Sequence, residues 1–74
     1  MLEGRTPEDL RAIAYDGGGL EINGAAYSSE DLVTIANAAA GSSCPLIIIR
    51  NSRGKTTAQL RTIAHAGKGK VLFG

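Results

Sequence analysis

Cysteine, histidine, aromatic side chains and long apolar runs are all scarce in this 74-residue chain, and each shortage excludes something. With one cysteine, Cys44, and one histidine, His65, neither an intrachain disulfide nor a Cys/His zinc cage can be assembled. Aromatic residues make up 4% of the chain, and Phe73 is the one that falls in its second half. Stacking platforms for single-stranded nucleic acid are therefore missing. No predicted helix carries the dense basic face that a DNA major groove would need. The longest strongly apolar run, Leu46 to Ile49, is far below the ~20 residues of a membrane helix. The opening MLEGRTPEDL has no basic head followed by an apolar stretch, so no secretory signal and a cytoplasmic location are expected.

Acid is also absent from one half. Residues 1–44 hold all seven acidic side chains and two basic ones, Arg5 and Arg11. Residues 45–74 hold six basic side chains and no acid. The net charge of +1 thus hides a strong asymmetry. It suits a basic surface for phosphate or nucleic acid, or two complementary halves that meet within or between chains. The length allows one small domain, residues 1–74. A domain of this size buries only about 60% of the surface its unfolded chain exposes. Without disulfide or metal, a partner subunit is the expected supplement.

What the sequence does contain is a repeat. TPEDLRAIAYDG from Thr6, SSEDLVTIANAA from Ser28 and TTAQLRTIAHAG from Thr56 share one grammar. Each opens on a hydroxyl residue suited to an N-cap, with Asp9, Asp31 or Gln59 three positions on. Pro7 suits a first helical position. Leu10, Ile13 and Ala14 recur as Leu32, Ile35 and Ala36, then as Leu60, Ile63 and Ala64, the stripe of an amphipathic helix. Gly17 and Gly67 are placed as left-handed caps, and Gly41 stops the second helix. The second and third segments lie 28 positions apart, an offset that also aligns Asn23 with Asn51, Gly24 with Ser52 and Tyr27 with Lys55.

A strand follows each helix, at Leu20–Asn23, Leu46–Asn51 and Val71–Phe73. The order αβαβαβ predicts a two-layer α/β fold, a three-stranded parallel sheet with helices packed on it. If the strands lie in sequence order, every right-handed crossover falls on one face and the other stays bare. A strand order of 2-1-3 would instead place helices on both faces. In unit length, strand-plus-helix order and an Asn after the strand, the chain resembles the βα solenoids of the leucine-rich-repeat kind. That resemblance implies a protein-interaction scaffold rather than an enzyme.

Motifs that suggest chemistry reduce largely to structure. Gly54-Lys55-Thr56 after a buried strand resembles the end of a phosphate-binding loop. Ile49 stands where its first glycine should be, and no acidic residue follows Lys55 to hold magnesium. What survives is an anion site at the start of the third helix, built from Arg53, Gly54, Lys55, Thr56 and Thr57. His65 lies one step beyond the Ile-Ala stripe, without a nucleophile or orienting acid at a useful spacing. Cys44 is expected to be a partly buried, inert thiol. Asp16-Gly17-Gly18-Gly19 precedes a strand rather than following one, so it reads as a flexible connection rather than a dinucleotide loop. Glu8-Asp9 and Glu30-Asp31 fall in first turns, where negative charge complements the helix dipole. No cofactor or metal is expected.

The remaining expectation concerns the sheet. Alternate strand residues face opposite sides, so Leu46 and Ile48 point one way, Ile47 and Ile49 the other, and Leu72 points away from Val71 and Phe73. Helices can cover one of these sides. The other would expose a contiguous apolar patch near the limit a monomer tolerates. Ile47, Ile48, Ile49, Leu72 and Phe73 are accordingly the candidate contacts of a homodimer or larger homo-oligomer.

Overall fold

A computed structural model describes residues 4–43 and 45–74; the expectation for Cys44 lies outside them. The elements follow the repeat: α1 (Pro7–Tyr15), β1 (Leu20–Asn23), α2 (Ser29–Ala40), β2 (Ile47–Arg50), α3 (Thr57–Gly67) and β3 (Val71–Phe73). Two short 3₁₀ turns, Gly24–Ala26 and Ser52–Gly54, join β1 to α2 and β2 to α3.

Each helix begins where a hydroxyl meets an orphan amide. Thr6 accepts from the Asp9 amide, Ser28 from Asp31 and Thr56 from Gln59. In α3 the box is reciprocal, because Gln59 Oε1 accepts from the Thr56 amide at 2.8 Å. At the other end of α1, Gly17 has φ +93° and follows the last turn as a left-handed cap should. Gly67 does something else. It is the last residue of α3, and the left-handed position falls on Lys68 (φ 49°). The requirement at Gly67 is steric: a Cβ there would collide with the Val71 side chain and touch Ala36.

The strands are parallel, in the order β1-β2-β3, with Leu20, Ile47 and Val71 in register. The 2-1-3 alternative is therefore not adopted. All helices lie on one face, α1 beside α2 and α2 beside α3. That face carries Leu20, Ile22, Ile47 and Ile49, buried under Leu10, Leu32, Ile35 and Ile63. Strand parity thus corrects the expected interface. Ile47 and Ile49 belong to the monomer's own core, and Phe73 packs against it from β3.

The repeat is also stitched sideways at its own period. Asn51 Nδ2 donates to Asn23 Oδ1 at 3.0 Å, and Lys55 Nζ donates to the Tyr27 carbonyl at 2.8 Å. Ser42 Oγ donates to the Ala14 carbonyl, and Lys70 Nζ donates to the Ser42 carbonyl at 2.6 Å. Each of these pairs is 28 residues apart. Three of these four bonds join groups that the sequence offset aligns in neighbouring units; Ser42 and Ala14 are the exception, since Ala14 recurs as Ala36.

Candidate functional site

Among the described residues, no element covers the side of the sheet away from the helices. Its central row is Glu21, Ile48 and Leu72, which the parallel register sets side by side. Leu72 is 53% exposed, Leu46 at the entrance to β2 is 36% exposed, and Ile48 between them is half-buried. The expected contiguous patch therefore consists of one isoleucine and two leucines. Of the five expected contacts, it retains Ile48 and Leu72. Leu46 completes it, as strand parity foretold.

This apolar row has a charged margin. Arg50 Nε donates to Glu21 Oε2 at 3.1 Å, diagonally across β1 and β2. The guanidinium holds the Glu21 carboxyl below its ordinary value of 4.5. Both side chains are substantially exposed, so the pair marks a polar rim more than it stabilises the fold. One negative and one positive group beside an apolar row can meet a two-fold copy of themselves.

The expected anion site is placed differently from a phosphate loop. The Lys55 ammonium is turned onto the Tyr27 carbonyl, and Thr56 is engaged in the capping box. Arg53, Gly54 and Thr57 are exposed beside them. Asn51, in the left-handed region at φ 57°, lies between a groove shared with Gly54 and Lys55 and another shared with Arg53 and Gly74. Sequence reasoning aligned Asn23 with Asn51 but missed the bond between them and the two 3₁₀ turns. Their signal was the equivalence of Asn23 and Asn51 at strand ends. Lys70 likewise looked like part of a basic surface, yet its Nζ caps α2 through the Ala39 and Ser42 carbonyls.

His65 is exposed on α3 beside Arg61 and Thr62 in an open groove. Another open groove, of about 510 Å³, runs between α2 and α3 past Val33, Ala58 and Thr62. Among the described residues, no group of three or more His, Cys, Asp or Glu could hold a metal ion, and no helix is long and apolar enough to cross a membrane.

Comparison with known proteins found no matching family model, curated protein or solved structure. The functional reading therefore rests on the geometry above.

Proposed function

We propose that this chain is a small, non-enzymatic interaction module that forms a homodimer through the bare face of its sheet. The observation that supports this is the row of exposed Leu46 and Leu72 with half-buried Ile48, on the side no helix covers. An apolar row on a sheet gains from being covered, and a second copy brings a matching row with Glu21 and Arg50 at its margin. Burying on the order of 200 Å² of apolar surface per copy is worth about 5 kcal/mol from each side. Association costs roughly 4–15 kcal/mol in lost freedom. The contact is smaller than the ~800 Å² per partner of a standard interface. These magnitudes favour a weak, concentration-dependent dimer over an obligate one.

Leu72→Asp tests the reading, because Leu72 is exposed in the single chain and its replacement leaves the core intact. The variant is expected to keep its helical circular dichroism and to lose face-to-face association, at least tenfold in dissociation constant. A variant that associates as tightly as the parent would refute the role of this face.

A further inference from the structure

The repeat gives an internal rule for what covers each helix. In α1 and α2, which are each followed by another helix, the Leu-Ala pairs Leu10/Ala14 and Leu32/Ala36 are completely buried. In α3, the last helix among the described residues, the equivalent Leu60 and Ala64 are only half-buried. The isoleucine of the stripe obeys the opposite rule. Ile35 and Ile63, each with a helix before them, are buried, whereas Ile13 of α1 is half-exposed. Leu-Ala therefore faces forward to the next unit and Ile faces back to the previous one. The sheet repeats the asymmetry. Leu20, Ile22, Ile47 and Ile49 are buried on β1 and β2, while Val71 and Phe73 on β3 are partly open.

We propose that the flank formed by α3 and β3 receives the α1 flank of a second copy. Chains then stack head to tail, and Ile13 of one copy meets Leu60 and Ala64 of the next. This surface is distinct from the bare sheet face. Strand order converts the charge asymmetry of the sequence into a spatial one that favours the same docking. The α3 flank exposes Arg61 and Lys68, whereas α1 and its ends expose Glu8, Asp9 and Asp16 against two basic groups, Arg5 and Arg11. Two α3 flanks facing each other would set like charges together, so a basic-to-acidic arrangement is the complementary one. Such a contact is heterologous: it does not close at two chains, but continues to a ring or a filament.

The test uses Leu72→Asp as the background, which separates this contact from the sheet-face dimer. Amide spectra are compared between ~20 μM and ~1 mM at low salt, where surface charge is least screened. The expected result is that Ile13 shifts together with Leu60, Ala64 and Val71 as concentration rises. Unmoved amides, or shifts confined to other surfaces, would overturn the proposal. Charge reversal then tests polarity at exposed positions. Arg61→Glu alone and Glu8→Lys alone should each weaken self-association about threefold or more. An equimolar mixture should restore it, because the acidic forward flank of one meets the basic backward flank of the other. A mixture that associates no better than the single variants would refute the head-to-tail arrangement.

Discussion

Single residues set the limits of this fold, and Gly67 is the tightest. Its missing Cβ leaves room for Val71 at the point where α3 turns back toward β3. Gly67→Ala should therefore destabilise the protein by about 1–3 kcal/mol in urea unfolding, although alanine is the better helix former. An unchanged or raised midpoint would contradict this steric account. Sequence reasoning found the glycine and gave it a different duty, because a glycine near a helix end usually marks a left-handed cap. The collision with Val71 depends on tertiary packing that periodicity does not report. The hydroxyl caps at Thr6, Ser28 and Thr56 were legible because each is a local bond within four residues. Glu21 carries the pH dependence that can be assigned. Its carboxyl is held below the ordinary 4.5 by Arg50, so the folded form binds its proton less readily than the unfolded chain. The resulting stabilisation is present above about pH 4.5 and is lost as pH falls through the lower folded value. Because the pair is exposed, Glu21→Gln should leave stability at pH 7 little changed and flatten the acid limb of the pH profile below 4.5.

At the scale of elements, neighbouring units are tied by polar bonds as well as by apolar packing. Lys70 is the clearest tie: it reaches from just before β3 to the carbonyls that end α2. Its charge complements the negative end of that helix. Lys70→Met keeps the apolar stem and removes the ammonium, so part-buried carbonyls lose their donor. The expected cost is about 1–3 kcal/mol in chemical denaturation. A loss equal to that of an exposed control such as Lys68→Met would show that the tie is incidental. The helices and strands themselves were readable, since three copies of one stripe and three short β-branched runs repeat the same message. The 3₁₀ turns were not, because Gly24–Ala26 and Ser52–Gly54 have no periodicity of their own. By sequence the glycine run after α1 is a flexible connection, yet a Cβ at Gly17 would lie 2.6 Å from Ser43 Oγ. That connection is packed against the end of the next unit. The basic half was misleading for the same reason: two of its six charges, Lys55 and Lys70, point at carbonyls of the preceding unit.

For the whole molecule, strand order decides what is left outside. A parallel sheet in the order β1-β2-β3 has helices on one side and the Leu46–Ile48–Leu72 row on the other. The alternation of the strands was visible in the sequence, but the identity of the covered side was not. Either side of the Leu46–Ile49 run could have faced the helices, and only assembly of the two layers assigns Ile47 and Ile49 to the core. We propose that this small two-layer unit completes itself with copies of its own chain. Sedimentation equilibrium across concentration tests it most directly. At ~100 μM, a weight-average mass rising above that of one chain, toward twice 7.6 kDa or beyond, is the expected result. A mass that stays at 7.6 kDa up to ~1 mM would contradict it.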